Sequence, residues 1–152
     1  MLKLIDSALG ADVLHALRSM GHGDELVLCD TNFPADAVAA ETVLGHLLHM
    51  ENITAAHAVK AILALMPLDT FVDKAALRME IVGKAKEIPP VQAEVQAEID
   101  RAEGKGKFEM GSIERMAFYE RAKTAYCVVR TGERRFYGCF ILKKGVVGPD
   151  TV

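Results

Sequence analysis

The run Leu26-Val27-Leu28-Cys29 constrains the fold more than any other stretch of the chain. It stands between Asp24-Glu25 and Asp30 with no polar residue alternating inside it. A strand with one wet face would alternate. A short continuous apolar run instead marks a strand covered on both faces, which requires a sheet held between layers of helix. Before it, Val13, Leu14, Leu17 and Met20 recur at helical spacing with Asp12 in the first turn, and Gly21 is expected to stop that helix in a left-handed conformation. After it, Pro34 biases Phe33 towards an extended backbone and Asn32 favours a turn, so Asp30 stands where strand becomes loop.

Further along, Thr54 can cap a helix that carries Ala58, Val59, Ile62, Leu63 and Met66 on its inner face and ends at Pro67. Leu77, Met79 and Ile81 alternate with Arg78 and Glu80, the pattern of a short strand. Pro89 and Pro90 open another helix with Val91, Val95 and Ile99 four apart, closed by the Gly104-Lys-Gly-Lys stretch, and its Glu and Gln residues are expected to face water. A short helix over 116–125 leads into two β-rich runs joined by a Gly-containing turn, expected as a hairpin or a neighbouring pair. No repeat, linker or low-complexity tract interrupts this alternation. With 152 residues there is room for one domain, so residues 1–152 read as a single α/β unit.

Composition narrows the partners. The formal net charge is −3 and Lys and Arg are scattered, which leaves no stripe to neutralise phosphates, so nucleic acid is not expected. Three separated cysteines in apolar stretches, Cys29, Cys127 and Cys139, fit buried reduced thiols and a cytoplasmic setting. Asp6 and Asp12 interrupt what would be a signal peptide's apolar region, and Lys60 and Pro67 break the most apolar later stretch, so neither secretion by that route nor a membrane span is expected.

Few residues invite chemistry. His22, between two glycines and near the end of a helix, titrates at about 6.5 when unperturbed and can carry protons in the cell, or it can simply cap the helix. Asp30 lies at the carboxyl end of a buried strand, where ligands bind in open α/β sheets, although an aspartate there also serves turns. His46, His49 and His57, flanked by Glu41 and Glu51, lack the His-Glu-x-x-His spacing and read as partly solvated helix positions, so no metal is expected. The Gly-His-Gly element lacks a third glycine and no phosphate-cradling loop occurs, so no cofactor is expected. Cys139, beside Tyr137 and Gly138, is the one thiol with polar neighbours that could draw it into a site.

Three blocks carry a resemblance: MGHGDELVLCDTNFP at 20–34, AFYERAKTAYCVVRTGE at 117–133 and FYGCFILKKGV at 136–146. Together they resemble the RbsD/FucU family, that of L-fucose mutarotases and D-ribose pyranases, with the FYERA and TGE stretches nearer the fucose branch. The resemblance is loose between residues 40 and 108. It implies a three-layer α/β/α fold assembled into a ring-shaped homo-oligomer, a pentamer or decamer, with monosaccharide sites near subunit interfaces. It makes His22 the catalytic acid/base and Asp30 a sugar-binding carboxylate. It also implies substrate contacts from Arg115, Tyr137, Gly138 and Tyr119. Cys139 stands where the family pattern has Asn; a thiol gives and takes hydrogen bonds weakly, which bears on the choice of sugar. The reaction implied is interconversion of α and β anomers of L-fucose or a related sugar. The alternatives are pyranose to furanose conversion of D-ribose, or sugar binding without catalysis.

Overall fold

The computed structural model describes residues 2–149. In α1 (Ala11–Ser19) the buried residues Val13, Ala16 and Leu17 fall on one stripe, and Asp12 occupies the first turn. The helix closes at Met20 with an extended backbone, and the left-handed residue expected at Gly21 is Gly23 (φ +85°), one step inside the turn that leads into β1 (Glu25–Cys29). There follow α2 (Ala35–Ala39), β2 (Leu47–Met50), α3 (Ala55–Leu63), β3 (Ala76–Met79), α4 (Pro90–Glu103), β4 (Gly111–Ile113), α5 (Arg115–Lys123), β5 (Cys127–Thr131) and β6 (Phe140–Lys143). The Thr54 side chain accepts from the His57 N–H at the start of α3, which ends four residues before Pro67. Gly104, at φ +106°, closes α4.

The six strands lie in the order β2-β5-β1-β6-β3-β4. All run the same way except β6, which is antiparallel to both of its neighbours. The two last strands were expected side by side; instead β1 lies between them, pairing Leu26 with both Cys127 and Leu142. With β1 between them no hairpin can form, and the eight-residue connection from Gly132 to Cys139 spans the carboxyl end of β1.

Period-two alternation then sorts the core into two halves. Leu26 and Leu28 of β1 join Leu48, Val129, Phe140 and Leu142 beneath α1, α3 and α4, while Val27 and Cys29 join Val128, Ile141 and Phe118 beneath α2 and α5. The result is a three-layer α/β/α sandwich, as expected from the unbroken apolar run. Burial of each such large side chain contributes about 1.5–3 kcal/mol.

Three expectations are corrected here. Arg78 was read on a polar strand face, but every residue of β3 is buried, and the Arg78 guanidinium donates to Gln92 Oε1 (3.2 Å) and to the Ala85 carbonyl (2.8 Å). Gln92, expected on a wet helix face, is 0% exposed. His46 and His49 precede and occupy β2 and are not on a helix; His46 is hydrogen-bonded to the Leu44 carbonyl, His49 to Glu51, and His57 of α3 to Asp6. Among the described residues no helix is long and apolar enough to cross a membrane.

Candidate sugar site at the carboxyl ends of the strands

Because five strands are parallel, their carboxyl ends gather at one edge of the sheet, and the amino end of β6 joins them there. Asp30 leaves β1 at this edge and is buried, with 4% of its surface exposed. Three donors hold its carboxylate and leave one acceptor position over. Oδ1 accepts from the Asn32 N–H (2.9 Å), closing the turn, and Oδ2 accepts from the Gly138 N–H (3.1 Å) and the Cys139 thiol (3.5 Å). A buried carboxylate so satisfied is held in one orientation.

The connection after β5 is built to reach Asp30. The Thr131 hydroxyl donates to the Cys29 carbonyl and accepts from the Glu133 N–H, and the Glu133 carbonyl accepts from the Thr31 N–H. The buried Glu133 carboxylate takes the Nε, Nη2 and backbone N–H of Arg135, whose other face makes two bonds to Glu94. Arg135 holds the Glu133 carboxyl down at about 2 against the opposing effect of burial. Gly138 has no alternative at its position: a Cβ there would lie 2.8 Å from Glu133 Cγ and 3.3 Å from Asp30 Cβ. Tyr137, just before it, takes a left-handed backbone (φ +62°), a conformation rare for an aromatic residue and typically found where a site demands it.

The third wall comes from α5. Glu114 caps the helix by accepting from the Met116 and Ala117 N–H groups, which presents Arg115 as its first residue and Tyr119 one turn later on the same face. The Tyr119 ring packs against Phe33 at 5.2 Å between centroids. Burial raises its hydroxyl pKa above the usual value, the Arg115 charge working the other way.

Asp30, Arg115, Tyr119 and Tyr137 line one cavity of about 380 Å³, with Asn32, Phe33, Met79 and Phe136. Sites for small molecules run from roughly 300 to 1,000 Å³, so one monosaccharide fits the space. The lining pairs one carboxylate, one guanidinium and two phenols with apolar walls. Such a set can grip several hydroxyls at once and cover the carbon skeleton.

Three residues implied for the site do not line the cavity, the first being Gly138, whose N–H is spent on Asp30. Cys139 is 2% exposed with its thiol on Asp30, so it acts from behind the carboxylate and does not line the cavity. Burial, with the Asp30 charge beside it, pushes that thiol well above its ordinary value. Cys127 is likewise raised to about 12 by burial. His22 precedes β1 at the opposite edge of the sheet. Four steps of strand separate Glu25 from Cys29, roughly 13 Å at about 3.3 Å per residue, before the turn at either end is added. One monosaccharide in one subunit cannot touch both His22 and Asp30.

At its own edge His22 is 47% exposed, and its Nε2 lies 3.1 Å from Oδ1 of the buried Asp69, with its ring edge-on to Phe71 at 5.3 Å. Asp69 also accepts from the Phe71 N–H, the main reason its carboxyl lies below the usual range. An ionised Asp69 can only accept, so Nε2 donates to it, and in the neutral imidazole Nδ1 is the nitrogen left to accept. The alternative reading of His22 as a helix cap is not what the structure shows: its ring bonds Asp69, and Lys144 Nζ takes the Leu17 and Met20 carbonyls at the end of α1.

Of the cavity residues, Asn32, Phe33, Met79 and Phe136 were not singled out from sequence. Asn32 and Phe33 follow Asp30 directly, and Phe136 adjoins Tyr137, so proximity to the candidate residues was a usable signal. Met79 carried none, since β3 is far along the chain from Asp30, Arg115 and Tyr137.

The family model of the RbsD / FucU transport protein family matches residues 3–147. The chain belongs to the RbsD/FucU family. It is 40% identical over 152 residues to the fucose mutarotase of Bos taurus, covering 98% of this chain and 96% of that one. It is 39% identical to the L-fucose mutarotase of Actinobacillus pleuropneumoniae serotype 5b, with 96% and 97% covered. The crystal structure of the Streptococcus pneumoniae fucose mutarotase in complex with L-fucose shares 37% identity and superposes with a TM-score of 0.86 over 97% of this chain and 100% of that one. Against Bacillus subtilis RbsD complexed with D-ribose the identity falls to 20% and the TM-score to 0.69, a likeness of fold alone.

Proposed function

We propose that the protein is a mutarotase of L-fucose or a closely related sugar, working in the cytoplasm as a ring-shaped homo-oligomer, a pentamer or decamer. The observation that carries this is the cavity that joins Asp30, Arg115, Tyr119 and Tyr137, in a chain some 40% identical to fucose mutarotases across nearly its whole length. The separation of His22 from that cavity fits an assembly in which a neighbouring copy supplies the imidazole. Exposed apolar side chains flank both partners of such a contact: Phe71 (72% exposed) and Val72 beside His22, Phe136 (74% exposed) and Met116 beside the cavity. Patches of this kind on a soluble chain mark interaction surfaces.

In the reaction, His22 Nδ1 takes the proton of the anomeric hydroxyl while a water molecule gives a proton to the ring oxygen, which it takes back on closure. The bond between C1 and the ring oxygen breaks, leaving an open-chain aldehyde. Rotation about C1–C2 and reclosure on the other face then returns both protons. Asp30 and Arg115 hold neighbouring hydroxyls throughout, so the open chain stays near its closing geometry.

The test has two arms. Exchange NMR on L-fucose, galactose and ribose should show anomer exchange faster than buffer for L-fucose; rates equal to buffer for all three sink the enzyme reading. In the second arm, His22→Ala and Asp30→Ala are each inactive alone, and subunits of the two variants refolded together regain activity because some interfaces then carry one intact His22 and one intact Asp30. Failure of the mixture to recover, or a monomer mass by light scattering, rules out the shared site.

A further inference from the structure

We propose that Gln92 is a positioning residue for the sugar site, setting the peptide plane between Tyr137 and Gly138 and through it the orientation of Asp30; the inference rests on the mutarotase reading. Gln92 projects from α4 into the core with no exposed surface. Its Nε2 donates to the Met79 carbonyl (2.8 Å) and to the Tyr137 carbonyl (3.0 Å), and its Oε1 accepts from Arg78 Nη1 (3.2 Å). Those partners permit one orientation only. A flipped amide would set its oxygen against two carbonyls and its hydrogens against a guanidinium.

Both carbonyls belong to residues that line the cavity. The Met79 peptide is held from its other side as well, since its N–H donates to the Cys139 carbonyl (3.1 Å). More tellingly, the Tyr137 carbonyl and the Gly138 N–H are two ends of one peptide unit. Gln92 fixes the oxygen of that unit, and the N–H donates to Asp30 Oδ2 (3.1 Å). The left-handed Tyr137 backbone makes this plane the part of the site that tends to relax, and such conformations persist only where several contacts impose them. At its far end the Tyr137 hydroxyl accepts from the Val82 N–H (3.4 Å), which leaves its own hydrogen available to a sugar. Arg78 completes the frame by tying Gln92 to the Ala85 carbonyl in the segment between β3 and α4. A buried amide directly behind the cavity wall thus governs how Asp30 and Tyr137 face it.

Gln92→Glu keeps the shape and the Arg78 contact while removing both amide donors; Gln92→Met keeps volume and removes all three bonds. Exchange NMR over a range of L-fucose concentrations should show KM raised about tenfold with kcat changed less than about twofold, the loss of two buried neutral hydrogen bonds being felt in binding. A crystal structure of either variant should show Tyr137 outside the left-handed region or Gly138 N–H parted from Asp30. Unchanged KM, a fall in kcat alone that follows the folded fraction, a Tyr137–Gly138 peptide that keeps both its conformation and its Asp30 bond, or failure of both variants to fold each overturns the proposal in favour of a merely structural Gln92. Wild-type exchange no faster than buffer instead overturns the mutarotase reading, and the variant crystal structures still decide the role of Gln92.

Discussion

The two edges of the sheet are built on different plans. At the carboxyl edge, Asp30, Gly138, Glu133 and Gln92 are buried and held by hydrogen bonds, and the cavity they support is defined before any ligand arrives. At the amino edge a half-exposed imidazole rests on one buried carboxylate, with uncovered aromatic and aliphatic side chains around it. Binding wants several groups fixed at once, whereas proton transfer wants one group of suitable basicity within reach. On the proposed reading each demand falls to a different edge, and a complete site would form only where two copies of the chain meet.

The largest effects separate those two demands. His22→Ala should lower kcat for L-fucose by about 10² to 10⁴-fold, the usual worth of a positioned acid or base, while calorimetry finds L-fucose affinity nearly unchanged. Asp30→Asn should do the converse, weakening affinity by about 10- to 100-fold through the loss of charge-assisted bonds. Were His22→Ala to abolish binding too, the division between edges would be wrong.

A smaller effect sharpens the amino edge. Asp69→Asn removes the charge that keeps the hydrogen on Nε2 while preserving an acceptor for the Phe71 N–H, so kcat should drop roughly tenfold with an altered pH profile and little change in melting temperature. An unaltered pH profile would deny Asp69 any hold over the imidazole. At the carboxyl edge, Glu133→Gln should cost about 1–2 kcal/mol at neutral pH, a modest figure because Arg135 is 42% exposed and screened. Since folding lowers this carboxyl from 4.5 to about 2, its contribution is full above the unfolded value and is lost as pH falls from about 4.5 towards about 2. Urea titrations across that window should find the variant less acid-sensitive than the wild type.

Much of this was legible in the sequence. The unbroken Leu26–Cys29 run forecast a sheet covered on both faces, and Asp30 was readable as the residue leaving it. The resemblance implied Arg115, Tyr119 and Tyr137 as residues of one site, and the fold places all three against one cavity. Gln92 was misread because a polar helix looks wet throughout, although it stands three before Val95 and seven before Ile99, on the same stripe. β2 and β4, of four and three residues, were too short to impose a period. The placement of β1 between β5 and β6 was hidden because strand order depends on long-range pairing, which local periodicity does not encode.

That placement has a bearing on how the protein comes into being. Residues 140–143 join the group of strands around β1 to the pair formed by β3 and β4, so on the ribosome the two groups remain unjoined until those residues have emerged. Contacts so distant along the chain slow folding. The segment bearing Tyr137 is drawn home with this last strand, which makes sugar recognition one of the final features to mature.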